Sequence, residues 1–226
     1  MDGYRLGGAA FLSLLLLQDW AQQGRDRLTR FHWILLIVYL LHQFEEHGVD
    51  MLGRSYSFMT YAQNLVGEIE GGSGFIWTPL AIYRINTLLV WLPFLIAVWG
   101  RQRFIWPGLA AAGLLVANGI FHIGVALWRE EYNPGLGSAI VLFLPVGLFY
   151  FRFVRQHCAI GWPGIAGGVL FGAAAHAALL LNIRFNLRPA PPAAVFGVVA
   201  LAPLIANLLY DGLRRAWPLL QKGQKM

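Results

Sequence analysis

The stretch from Phe31 to His47 reads FHWILLIVYLLHQFEEH: an unbroken apolar run that closes on two imidazoles and two carboxylates within the six residues His42 to His47. An apolar segment of this length is a helix of the kind that crosses a bilayer, at about 1.5 Å rise per residue. Ionisable groups at its far end are expensive. A carboxylate near the bilayer centre costs roughly 2.5–3.5 kcal/mol on insertion scales, so groups retained there are candidates for function. On a helix, residues three and four apart share a face, which places His42, Glu45 and Glu46 together. His47 is turned about 140° away from His42.

The rest of the chain agrees with this start. Its 226 residues are 58% hydrophobic and 12% charged, against about 25% charged in soluble domains. The composition is that of an integral membrane protein, all-α, a polytopic transmembrane helix bundle. Apolar runs separated by Arg, Gly, Pro and Asn clusters predict about six spans, near 31–48, 78–100, 104–127, 136–151, 160–181 and 193–210, with a possible extra helix over Leu6 to Leu17. One membrane domain over 1–226 is expected, with a motif-bearing core over 31–151 and an outer cap loop over 49–77. The formal net charge is +6, but the basic residues stand at segment ends rather than in a stripe, which excludes a nucleic-acid partner and marks them as topological anchors. The single cysteine, Cys158, forms no internal disulfide.

Basic residues set the orientation. With alternating spans, eleven fall on one side (Arg25, Arg27, Arg30, Arg101, Arg103, Arg152, Arg155, Arg214, Arg215, Lys222, Lys225) and five on the other (Arg54, Arg84, Arg129, Arg184, Arg188). The richer side is cytoplasmic by the positive-inside rule. The C-terminus is then cytoplasmic, and His42 to His47 lie toward the outer side. A bacterial inner membrane is the expected location.

Two further polar clusters interrupt the apolar background: Asn118-Gly-Ile-Phe-His122, whose ends share a helix face, and the turn Tyr132-Asn133-Pro134-Gly135. Counted from the cytoplasmic starts of their helices, His42 and Glu46 lie roughly 16–22 Å deep, Asn118 and His122 roughly 21–27 Å, and His176 about 24 Å. These groups are placed to converge in the outer part of the bilayer. His32 and His157 fall at the opposite ends of their helices, where interfacial positions are expected.

In this order, His42-x-x-Glu45-Glu46, Asn118-x-x-x-His122 and Tyr132-x-Pro134-Gly135 resemble the HXXEE family of small polytopic membrane proteins. The match spans roughly the first two-thirds of the chain. The resemblance implies a polar centre assembled from those positions and names no reaction.

The residue types point to chemistry. Imidazole and carboxylate are ligands of zinc, iron and manganese, and a catalytic metal takes three protein ligands and leaves a position for water. His42, Glu45 or Glu46, and His122 supply such a set for a divalent metal, zinc or iron, with His176 as a further ligand candidate. The spare glutamate is a candidate general base, Tyr132 a hydrogen-bond donor to developing charge, and Asn118 a residue that orients a ligand or holds a substrate carbonyl. The expected function is a membrane-embedded, metal-dependent hydrolase acting on a lipid or other apolar substrate at the outer leaflet. The alternatives are a di-iron-type membrane oxidoreductase, which needs more carboxylates, and a metal or proton transporter, which needs matching interrupted helices in two halves.

Overall fold

In the computed structural model the described residues are 27–55, 57–70, 78, 80, 82, 85–100, 105–158, 160–184 and 201–212. Among them the regular structure is helical. The first helix, α1, runs Arg27–His47 and α2 runs Ser57–Glu70. A π-helical stretch Ile85–Trp91 continues into Leu92–Gly100, together α3. Then follow α4 (Ile105–Arg129), α5 (Leu136–His157, with a π-helical stretch Ala139–Phe143 near its start), α6 (Trp162–Arg184) and α7 (201–212). The expected helix at Leu6 to Leu17 lies outside the described residues.

Among the described residues, three helices are long and apolar enough to cross a membrane: Ile105–Arg129, Leu136–His157 and Trp162–Leu181. Helix α1 is not one of them. Polar residues at both ends, Arg27 and Arg30 at one and Gln43 to His47 at the other, dilute its hydropathy. Its buried face carries Leu35, Leu36 and Val38, as in a water-soluble helix, but also ionisable groups, while large apolar side chains stand outside. His32, His42, Glu45 and Glu46 are buried, while Phe44 is 53% exposed and Leu41 and Ile34 are each 38% exposed. In water an exposed Phe or Leu forfeits about 1.5–3 kcal/mol relative to burial, a loss that disappears against lipid tails. The same pattern recurs on α4 and α5, where Ile120, Leu127, Val141 and Phe149 face outward. An integral membrane protein is consistent with both features.

Helices α4 and α6 approach each other closely. A Cβ added at Gly113 would collide with the Gly168 carbonyl, and one at Gly172 with the Gly113 carbonyl. Association between helices in lipid depends on such close backbone approach, because no apolar surface is withdrawn from water. The interface therefore runs through Gly113, Gly168 and Gly172.

Within the expected cap, 49–77, the chain forms a short turn and then α2. Val49 and Ser55 make an isolated antiparallel bridge. The turn is held by Asp50, whose carboxylate accepts from the backbone N–H groups of Leu52 and Arg54 and pairs with the Arg54 guanidinium at 2.8 Å. Helix α2 is tied to the end of α4 by Arg129, which pairs with Glu68 at 3.0 Å and with Glu131 at 2.8 Å and lies over the Tyr61 ring.

His32 corrects an expectation. It is buried inside the bundle instead of standing at an interface. Its Nδ1–H donates to the Ala97 carbonyl at 2.8 Å, and its Nε2 is 3.0 Å from the Tyr150 hydroxyl. Helices α1, α3 and α5 are thereby joined at the Arg27 end of α1.

Candidate metal centre

At the other end of α1, His42 and Glu46 stand one helical turn apart and face His122 of α4. One Glu46 oxygen, Oε1, lies 3.4 Å from His42 Nε2 and 3.5 Å from His122 Nε2. All three side chains are buried, and their potential ligand atoms lie within 4.8 Å of one another. The two imidazoles meet edge to face, with centroids 4.9 Å apart.

The surrounding hydrogen bonds decide where the protons are. Asn133 Nδ2 donates to the His122 carbonyl at 2.9 Å, and a carbonyl can only accept. Asn133 therefore turns Oδ1 toward His122 Nδ1, at 2.5 Å, and that nitrogen carries the hydrogen. The Ser138 hydroxyl donates to the Gly135 carbonyl, so it accepts from His42 Nδ1–H at 2.9 Å. Glu46 Oε2 accepts from Gln43 Nε2 at 2.7 Å. What remains are His42 Nε2, His122 Nε2 and Glu46 Oε1, within 4.8 Å of one another. His42 Nε2 is buried without a hydrogen-bond partner. With both rings neutral these three acceptors repel one another, and a positive charge between them, a proton on one Nε2 or a metal ion, removes the repulsion. The 3.4–3.5 Å spacings match the ligand-to-ligand separation of about 3.4 Å expected for tetrahedral zinc with bonds of about 2.0–2.1 Å. The cluster could hold a metal ion.

The turn before α5 builds the floor of this centre. Gly135 has φ +95°, a left-handed conformation that glycine adopts without penalty. A Cβ there would lie 2.7 Å from the His42 ring and 2.8 Å from the His122 ring. Glycine also leaves α5 without a side-chain cap. Glu45 supplies one from α1: its carboxylate accepts from the backbone N–H of Ser138 at 2.7 Å and of Gly137 at 3.2 Å, and from the Tyr132 hydroxyl. A carboxylate at a helix N-terminus satisfies unpaired N–H groups and complements the macrodipole.

The two adjacent glutamates thus have different surroundings. Glu46 belongs to the three-residue cluster, and Glu45 clamps α5 against α1. Tyr132 is part of that clamp. Burial and the Glu45 carboxylate push its phenol up from the usual tyrosine range, which keeps it protonated as a donor. Its oxygen accepts from Met51 N–H at 3.3 Å, and Arg54 lies over its ring. His47 points off the shared face and packs edge-on against Phe58 of α2.

Asn118 and His176 stand outside the cluster, on the wall of a cleft of about 90 Å³ that reaches Glu46 and runs between α1, α3, α4 and α6. His176 Nδ1–H donates to the Gly172 carbonyl at 2.9 Å. Sequence reasoning did not assign Gln43, Asn133 or Ser138 to the site. Gln43 carried a usable signal, one turn before Glu46 on the same helix. It closes a directed chain in which Tyr39 donates to Asn86 at 2.9 Å, Asn86 to Gln43 at 2.7 Å and Gln43 to Glu46.

Comparison with curated proteins and with solved structures found no match for this chain. A family model described as "Protein of unknown function with HXXEE motif" matches residues 33–150, more than half of the chain and all of the residues that build the cluster and its floor. The chain belongs to the HXXEE family.

Proposed function

We propose that this protein is a membrane-embedded, metal-dependent hydrolase acting on a lipid or other apolar substrate. One observation carries the proposal: three buried side chains, His42, Glu46 and His122, bring their free ligand atoms within 4.8 Å of one another, with the other polar atom of each held by a neighbour. In this reading the three side chains hold a divalent metal. Such a metal supplies a Lewis acid and a water activated near neutral pH. Ser138 and Asn133 fix the imidazole tautomers, and Gln43 holds the second Glu46 oxygen, so that each ligand presents a single lone pair.

Glu45, with three donors on its carboxylate, acts as the clamp that carries Ser138 and Gly135 into place. The base beside the centre is then His176, whose Nδ1–H is committed to Gly172 and whose Nε2 is left as an acceptor on the cleft wall. A di-iron oxidoreductase has less support. Glu68 and Glu131 are both engaged by Arg129 rather than turned toward the cluster. We place the centre in a six-span bundle with its C-terminus cytoplasmic and the cluster toward the outer leaflet, following the distribution of arginine and lysine.

Metal analysis of the detergent-purified protein tests the proposal. The wild type is expected to carry stoichiometric zinc or iron, and His122→Ala and Glu46→Ala to carry none. A metal-free wild type that also takes up no added zinc, iron or manganese would sink it. Colourless, zinc-containing protein favours hydrolysis, and an iron spectrum favours oxidation.

A further inference from the structure

We infer that the cleft beside the metal centre recognises an apolar-chain molecule whose head is an uncharged hydrogen-bond donor, an alcohol or an N–H amide, and not a phosphate or carboxylate. This rests on the cleft being the substrate site of the proposed enzyme. The inference comes from which polar groups the cleft leaves open. Gln43 and Asn86 both line it, but each has its amide oxygen and nitrogen engaged in the chain that ends on Glu46. Three groups remain. The Asn118 side-chain oxygen and His47 Nε2 are buried with no hydrogen-bond partner, and His176 has its Nδ1–H directed to a carbonyl, so that Nε2 of the neutral ring accepts. His47 Nε2 lies 3.8 Å from the Glu46 carboxylate, which leaves the acceptors of Asn118 and His176 to meet a ligand.

An acceptor lining is selective. A buried acceptor left unpaired costs about 1–3 kcal/mol, which a donor head recovers and an anionic head does not. Among the described residues that line the cleft there is no Lys or Arg to neutralise an anion, while the Glu46 carboxylate stands at its end. The remaining wall is apolar, including Val90, Leu114 and Leu179, and suits a hydrocarbon chain. Asn118 and His176 come from α4 and α6, the pair brought together by Gly113 and Gly172, so the close helix contact also sets the spacing of the two acceptors.

The test is calorimetric titration of the chelator-treated, metal-free protein in nanodiscs with three probes of equal chain length: decanol, N-methyldecanamide and decyl phosphate. Decanol and the amide are expected to bind at least about tenfold more tightly than the phosphate. His176→Leu and Asn118→Leu should each reduce that affinity about tenfold, while His176→Gln, which keeps an acceptor, should stay within about threefold of wild type. The inference is overturned if the phosphate binds as tightly as the neutral probes. It is equally overturned if no probe binds, or if the leucine variants bind the neutral probes unchanged. Because metal is absent throughout, failure here leaves the metal analysis standing. Conversely, a protein that passes here but holds no metal keeps its ligand cleft and loses the enzyme.

Discussion

Helix α1 carries two buried histidines ten residues apart in sequence, and their surroundings are opposite in kind. His32, at the Arg27 end, has hydrogen-bond partners at both ring nitrogens, the Ala97 carbonyl and the Tyr150 hydroxyl. His42 has one nitrogen on Ser138 and the other, Nε2, buried without a partner and facing a carboxylate oxygen at 3.4 Å. Both stand on the same apolar helix, so burial alone does not distinguish them. What distinguishes them is whether the donors and acceptors around the ring add up. At His32 they do, and three helices are stitched together. At His42 the ring nitrogen meets a carboxylate oxygen and a second imidazole nitrogen, a cluster that could hold a metal ion.

The strongest way to break this contrast is to delete each histidine in turn. His42→Ala is expected to lower metal affinity more than about 100-fold while the protein stays helical, because a three-ligand site reduced to two holds metal poorly. His32→Ala is expected to keep stoichiometric metal and lose about 2–4 kcal/mol of stability, from a cavity and a stranded Tyr150 hydroxyl. Metal analysis and denaturation in detergent measure the pair. Loss of metal in His32→Ala would erase the distinction.

Gly135→Ala probes the floor that only the His42 end possesses. The left-handed backbone there costs a non-glycine residue about 1–2 kcal/mol, and the added methyl must displace the two imidazoles it meets at 2.7 and 2.8 Å. A loss of about 10–100-fold in metal affinity is expected by competition titration, with a lowered melting temperature.

A smaller effect, at the lower end of about 10–100-fold in metal affinity, is expected for Ser138→Ala and for Asn133→Ala, which release the tautomers of His42 and His122. Unchanged affinity in both would mean that the rings are oriented by packing alone. The mildest change is Glu45→Gln. It should retain stoichiometric metal, with affinity within a few-fold of wild type. It should lose about 1–2 kcal/mol of stability, because the amide replaces one acceptor of the α5 clamp by a donor. Complete metal loss in Glu45→Gln would make Glu45 a ligand and remove the division between the adjacent glutamates.

Much of this contrast was legible before folding was considered, and the illegible part has a physical cause. The helical, membrane-type character follows from apolar runs and scarce charge. His42 with Glu46, and Asn118 with His122, sit at four-residue spacings that any helix turns into a shared face. The roles of Glu45 and Glu46 were not separable in this way. Both lie on the same side of α1, and what divides them is α5, which reaches Glu45 through Ser138, a residue 93 positions away in sequence. His32 looked interfacial because a position counted along a helix says nothing about a neighbouring helix that covers it. The Tyr-Asn-Pro-Gly turn was legible as a turn, but not as the floor of the His42–Glu46–His122 cluster, since that role depends on the two rings beside Gly135.

The sequence by itself determined that this is a helical, membrane-type chain, and that imidazoles and carboxylates meet helix geometry at the far end of α1. Periodicity and hydropathy are local properties, carried by each segment alone. The tertiary structure decided which histidine is satisfied and which is not, which glutamate joins the cluster and which caps α5, and that the cleft presents acceptors. Each of these depends on counting hydrogens among groups from three or four helices, and that count exists only once the helices are packed.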